Sequence, residues 1–299
     1  MYLLTQEQEK VIGKRAFMKI KSKKLRIFLS RKLSVVAAVI LIIMMLCVFI
    51  GPHFTRFSPT EINIERRLSG ISSEHWLGTD EIGRDFFARI VHGGQITMSI
   101  ALFGVSLGAS IGLLLGIVSG YYGGVLDALL SRFVDILMAI PGLMIATIAL
   151  GILGPGGINT GIAVGAAAIP AFMRMTRATV ISVKETDYVK SCRIMGGSNL
   201  RIIVKHILPS AWPMIVVMFT LGLGTAVLTS SALSFLGIGV NPPTPEWGAL
   251  ISSGRTMMLA FPLGILAPGL AITLVVMCTS LIGDGLRDAL DPKSNIETN

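Results

Sequence analysis

Six apolar stretches, at roughly 33–50, 96–120, 128–153, 159–180, 211–236 and 262–283, constrain this chain more than any motif in it. A helix needs about 20 apolar residues to cross the hydrocarbon core of a bilayer, where every backbone polar group must be satisfied internally. The expected fold class is therefore an all-α integral membrane protein with six transmembrane helices. Charge content agrees: 14% of the 299 residues are charged, against about 25% in an ordinary soluble domain. Mean hydropathy is +0.73. The net charge of +9 is accordingly read as topology determinants attracted to anionic lipid, with no nucleic-acid partner.

Orientation follows from the placement of Lys and Arg. Residues 1–32 hold ten of them against Glu7 and Glu9, and form a basic segment expected in the cytoplasm. The apolar run 33–50 has no small-residue cleavage site after it, so it reads as an uncleaved first span and not a signal peptide. Residues 51–94 set Arg56, Arg66, Arg67, Arg84 and Arg89 against six acids and fit the extracytoplasmic side. Five further spans within a core at 95–293 then place 178–210 and the tail at 294–299 in the cytoplasm. The middles of the spans carry no Asp, Glu, Lys, Arg or His, which argues against an ion-coupled carrier.

Glycines at 104, 108, 112, 116, 120 and 124 repeat every four residues. That spacing keeps one helix face bare for close approach of another backbone; static packing within the bundle is preferred over contact with a moving neighbour. Pro141 and Pro170 are expected to kink or loosen the third and fourth spans. Arg132 and Asp135, three apart, fit an ion pair on one helix face. Residues 77–94 read as an amphipathic stretch at the outer interface, and Trp247 as a headgroup-level anchor within a proline-rich turn at 241–248.

Between the fourth and fifth spans lies a basic segment, 188–209, with the pattern of two short helices and a glycine joint. Asp187 or Thr186 caps the first helix, and Gly196-Gly197 end it. Ser198 caps a second, whose Leu200, Ile203, Val204, Ile207 and Leu208 share one face. Pro209 is expected to stop it. Lys184, Lys190, Arg193, Arg201 and Lys205 hold the segment on the cytoplasmic surface, where something in the cytoplasm can push it.

Chemistry of its own is hard to find in the chain. Cys47, Cys192 and Cys278 stand apart, and His53, His75, His92 and His206 are scattered, without metal-ligand spacing. The one Gly-Lys dipeptide, Gly13-Lys14, is followed by Arg15 and lacks the upstream glycine of a phosphate-binding loop. The expectation is a non-enzyme with no metal, no catalytic residue and no cofactor of its own.

The segment at 184–209 resembles the ATPase-coupling loop of importer permeases in the ABC transporter superfamily, with Gly196 and the Ile207-Leu208-Pro209 end matching the pattern. Three further blocks resemble the branch serving dipeptides, oligopeptides and nickel. They are His75-Trp76-Leu77-Gly78-Thr79-Asp80 running into Gly83-Arg84-Asp85; Ala232 to Gly239 followed by Pro242-Pro243 and Pro245-Glu246-Trp247-Gly248; and Gly283 to Asp288 with Leu290-Asp291-Pro292. In order and at matching span boundaries, they cover about 33–293 and are similar to the second, C-type permease subunit.

The resemblance implies the type I ABC importer permease fold in a prokaryotic cytoplasmic (inner) membrane. It implies a heterodimer with a second, homologous permease, two ATP-binding cassette ATPase subunits that use ATP and magnesium, and an extracytoplasmic substrate-binding protein. Its coupling residues here would be Tyr188, Val189, Lys190, Arg193, Met195, Gly196, Gly197 and Pro209. Lys190-Ser191-Cys192 stand where relatives commonly have Glu-Ala-Ala, so Lys190 reverses a charge on the partner-facing side and is read as solvated. Arg287 and Asp288 fit bundle-end ion pairs or an ATPase contact, the former preferred. The cargo implied is dipeptides or oligopeptides; nickel, a chelated metal, or a glutathione-like or opine-like solute would keep the architecture.

Overall fold

The computed structural model describes residues 25–290; the first part of the basic segment and the tail with Asp291-Pro292 lie outside the described residues. The long helices are α1 (Lys32–Ile50), α2 (Phe86–Tyr122), a broken pair α3 (Gly124–Met138) and α4 (Gly142–Leu153), and α5 (Gly157–Lys184). After them come the short α6 (Asp187–Ile194) and α7 (Asn199–Ile202), the long α8 (Leu208–Phe235), the short α9 (Trp247–Gly254) and α10 (Leu263–Leu290). Among the described residues the one extended pairing is an isolated bridge between Thr79 and Asp85.

Helix directions follow from the glycine ladder. A Cβ placed on Gly104 would lie 2.9 Å from Gly161 O, one on Gly112 2.5 Å from Phe172 Cβ, and one on Gly120 2.9 Å from Arg177 O. Partner numbers rise together, so α2 and α5 run parallel, backbone against backbone, and the ladder is close packing inside the chain. Gly124 lies outside it, with nothing within 4 Å of its would-be Cβ. Two parallel helices require a return crossing between them, and only α3 and α4 connect them. The third span therefore crosses as a broken helix, bent by 94°, instead of as the continuous run its hydropathy suggested. Pro141 is the cause: it has no N–H to continue α3 and sits as the cap residue of α4. Pro170, by contrast, lies inside an uninterrupted α5.

The remaining helices complete six crossings. α8 and α10 are antiparallel, since Gly224 faces Thr279 and Gly283 faces Leu221. α1 is anchored where Ser34 Oγ donates to Leu281 O at 2.8 Å and Val48 reaches Gly94. Its Leu33, Val36, Val39, Ile42, Ile43 and Leu46 are exposed, as a lipid-facing surface requires. One end of the bundle thus carries the junctions Gly123, 185–207 and the end of α10; the opposite end carries 51–85 and 236–262.

At that opposite end two expectations are corrected. Residues 77–94 do not lie along an interface. Asp85 caps α2 by accepting from Ala88 N at 2.7 Å, and 86–94 are the first turns of that helix. Before it, His75 pairs with Asp85 at 2.7 Å and Asp80 with Arg84 at 2.7 Å, all buried. Trp247 is not a headgroup anchor either: it is 1% exposed, donates Nε1 to Ile90 O at 2.9 Å and packs on Gly94. The buried indole finds its partner inside the bundle because Gly93 and Gly94 leave room for it.

Candidate functional site

The segment from Glu185 to Leu208 joins the ends of α5 and α8. α6 begins after Thr186, whose hydroxyl donates back to Val183 O at 2.6 Å. Neither Thr186 nor Asp187 caps the helix with its side chain; the Thr186 carbonyl accepts from Val189 N and Lys190 N, each at 3.1 Å. Gly196 takes φ +81°, its N–H bonds Arg193 O at 3.1 Å, and Gly197 N bonds Cys192 O at 3.0 Å. This crossed pair closes a helix end with a left-handed residue, where glycine has no steric penalty. Ser198 precedes α7 without a side-chain cap bond.

Pro209 does not stop the second helix. α7 passes through one wide turn, Ile203–Ile207, where Leu208 N reaches back five residues to Ile203 O, and continues as α8 with Pro209 in its first turn. A proline there loses only an N–H that has no α-helical role, and the wide turn absorbs its ring. The second helix of the segment is thus the leading end of the fifth span, from Asn199 to Phe235.

Its buried face also differs from the expected one. Leu200 and Val204 are exposed, whereas Ile202 and Ile207 are fully buried with Val189, Val180 and Tyr121. Of the expected face, Ile207 is buried and Ile203 and Leu208 half-buried, while Ile202 takes the core place that spacing gave to Leu200 and Val204; the wide turn at 203–207 breaks the 3.6-residue register. Burying each of Val189, Ile202 and Ile207 contributes about 1.5–3 kcal/mol, so the segment is seated and not loose. Polar ties add to it. Tyr121 Oη donates to Asn199 Oδ1 at 2.8 Å, and Lys184 Nζ to Tyr121 O at 2.7 Å. Arg193 lies 5.5 Å over the Tyr121 ring. Tyr121, Asn199 and Ile202 escaped sequence reasoning; the single signal was an aromatic at the last turn of the glycine-ladder helix.

Of the predicted residues, Val189 is core. Tyr188 is half exposed, its hydroxyl 3.0 Å from Ser210 Oγ, and Met195 is 80% exposed next to Ile194 at 86%. Lys190 is exposed to solvent, and its Nζ lies 3.1 Å from Glu185 Oε2 in a pair more than half exposed on both sides. That hydrogen bond holds the Glu185 carboxyl below its ordinary value. Ile194, Met195 and Leu200 therefore form an exposed apolar ridge flanked by the Lys190–Glu185 pair and Arg193.

The expected Arg132–Asp135 pair is absent. Asp135 instead meets Arg174 at 2.5 Å, and Arg177 grips Asp127 through two bonds of 2.5 and 2.7 Å, with Ser119 and Ser131 on the same carboxylate. These pairs tie α3 to α5 beside the segment. Asp288 pairs with Arg31, as a bundle-end reading expects, while Arg287 makes no ion pair among the described residues. A Gly104-Val105-Ser106-Leu107-Gly108 run spells the nucleophile-elbow pattern, but it lies in mid-α2 and not on the strand-to-helix turn that chemistry needs.

Comparison with known proteins bears on this geometry. The family model of the binding-protein-dependent transport system inner membrane component matches residues 112–296. That of the N-terminal transmembrane domain of oligopeptide transport permease C matches 23–70. The dipeptide transport system permease protein DppC of Alkalihalophilus pseudofirmus is 41% identical, over 88% of this chain and 86% of its own. The glutathione transport system permease protein GsiD of Shigella flexneri is 47% identical, over 75% of this chain and 74% of its own. Among solved structures, an inward-facing MetNI methionine ABC transporter gives a TM-score of 0.56 at 21% identity, covering 69% of this chain and 98% of that one; the likeness is one of fold.

Proposed function

Given that the chain belongs to the binding-protein-dependent transport system inner membrane components, we propose that it is the C-type permease subunit of an ATP-driven ABC importer for dipeptides or oligopeptides. It forms half of a translocation pathway with a second, homologous permease. Two ATPase subunits, which bind ATP and magnesium, engage α6 from the cytoplasm, and a substrate-binding protein delivers cargo at the opposite end. Both termini are cytoplasmic and the membrane is the prokaryotic inner one.

The observation that carries this reading is the seated ridge. Ile194, Met195 and Leu200 are exposed on a segment anchored beneath by Val189, Ile202 and Ile207. Apolar residues held rigidly toward solvent fit a protein partner. A push on α6 reaches α2 through Arg193 over the Tyr121 ring and α5 through Lys184, and beyond the glycine joint α7 continues into α8 without a break. ATP-driven movement of the partner then shifts the bundle between inward-open and outward-open states through its differential affinity for the two.

A second cargo, glutathione, is favoured by the relatives whose names carry it. Uptake of a labelled dipeptide, a labelled oligopeptide and labelled glutathione, in cells with and without the chain, separates the two. Loss of peptide uptake supports the reading, loss of glutathione uptake alone changes the cargo, and no loss of either overturns the substrate class.

A further inference from the structure

Glu246 is fully buried where α9 begins, wedged between the ends of α2 and α8. Its Oε2 accepts from Ala249 N at 3.0 Å and so caps α9. Its Oε1 lies 2.9 Å from Thr97 Oγ1 and 3.3 Å from Ser231 Oγ. Among the described residues no cation compensates it. On α2 the nearest candidates are engaged elsewhere: Arg89 with Pro59 O and Asp80, and His92 with Ala88 O. α8 and α9 contain no titratable residue, α10 has none before Cys278, and Arg255, just past α9, sits over the Phe235 ring. An ionised carboxylate buried without a cation costs several kcal/mol.

Hydrogen counting at Thr97 points the same way. Its hydroxyl faces three groups: Gly93 O at 2.9 Å, Glu246 Oε1 at 2.9 Å and Trp247 N at 3.1 Å. A hydroxyl has one hydrogen to donate and two lone pairs to accept with. Trp247 N–H fills one lone pair. Were Glu246 ionised, Gly93 O and the carboxylate would compete for a single hydrogen, leaving two bare oxygens in contact. A protonated Glu246 donates to Thr97, Thr97 donates to Gly93 O, and every position is filled once.

We propose that Glu246 is held as a neutral carboxylic acid, and that its proton latches the short helix α9 onto the ends of α2 and α8. Only the compartment whose pH it senses, the extracytoplasmic one, rests on the reading above. Burial raises the Glu246 carboxyl above its ordinary value, against the opposing hydrogen bonds. The folded state therefore binds this proton more tightly than the unfolded one. The latch is at full strength below the ordinary carboxyl value and weakens as pH rises from there through the folded value.

The test uses the full-length chain in lipid nanodiscs, wild type beside Glu246→Gln. Glutamine supplies the same donor-and-acceptor pair without a charge: its NH2 can donate to both Thr97 and a reoriented Ser231. In the infrared difference spectrum at pH 7, the wild type is expected to show a protonated-carboxyl band, sensitive to deuteration, that the variant lacks. Amide hydrogen exchange over 247–254 should be equally protected in both at about pH 4, below the ordinary carboxyl value. Relative to the variant, wild-type protection should then fall by up to about tenfold per pH unit, the one-proton limit. No such band, or an α9 that Glu246→Gln deprotects at about pH 4, overturns the proposal. Because neither readout involves transport, failure here leaves the permease reading standing.

Discussion

Replacing Gly112 by alanine puts a methyl carbon where Phe172 Cβ would be 2.5 Å away and Ile169 O and Met173 N each 2.9 Å away. Two of these three atoms are backbone and the third is a Cβ, so none can swing aside; α2 and α5 must separate. Forced overpacking of this kind costs about 1–3 kcal/mol. A helical Gly→Ala change also gains about 0.8–1 kcal/mol of propensity, which would blur the result taken alone. Gly269 in α10 supplies the control, because its would-be Cβ meets nothing within 4 Å. Gly269→Ala should be neutral or stabilising, and Gly112→Ala should fall below it by about 1–3 kcal/mol, a factor of about 5–150 in the folding equilibrium. Reversible unfolding in mixed detergent micelles, followed by circular dichroism, measures both. Equal stability of the two variants would refute the parallel α2–α5 contact and, with it, the argument that α3 and α4 make a return crossing.

Three further outcomes follow from named contacts. Trp247→Phe removes the bond to Ile90 O and should cost about 0.5–1.5 kcal/mol, while Trp247→Ala empties a core site and should cost about 3–5 kcal/mol; the same unfolding assay reads both. Asp127→Ala strips Arg177 of two bonds and should destabilise clearly, whereas Asp135→Ala, in a pair about half exposed on both sides, should cost about 0–1 kcal/mol. Gly196→Pro and Arg193→Glu should leave the chain folded but uncouple ATP hydrolysis from uptake in the assembled transporter. Normal transport by both would refute the role given to α6.

Much of the architecture was legible because burial in lipid demands long apolar runs, and five of the six spans fall close to where hydropathy puts them. The third was misread for a physical reason: hydropathy is blind to direction, and the apolar run continues across Pro141 while the backbone turns through 94°. The errors in the candidate site share another cause, the use of local rules where tertiary partners decide. Spacing paired Asp135 with Arg132, but Arg174 arrives from α5. Proline looked like a stop at 209, though it sits comfortably in the first turn of a helix. Trp247 carried the ordinary prior of an interfacial tryptophan, which the space left by Gly93 and Gly94 overrides. The glycine joint at 196–197, by contrast, was readable, since a left-handed residue at a helix end selects glycine on steric grounds.

The central claim is that α6 meets an ATPase subunit, and a photo-reactive amino acid at position 195 tests it most directly. Met195 is 80% exposed on the ridge, and Leu259, 99% exposed at the opposite end, is the control position. Irradiated in cells producing the whole transporter, the probe at 195 should form an adduct with an ATPase subunit, and the probe at 259 should not. Adducts of 195 with lipid alone, or ATPase adducts from 259 instead, would contradict the account.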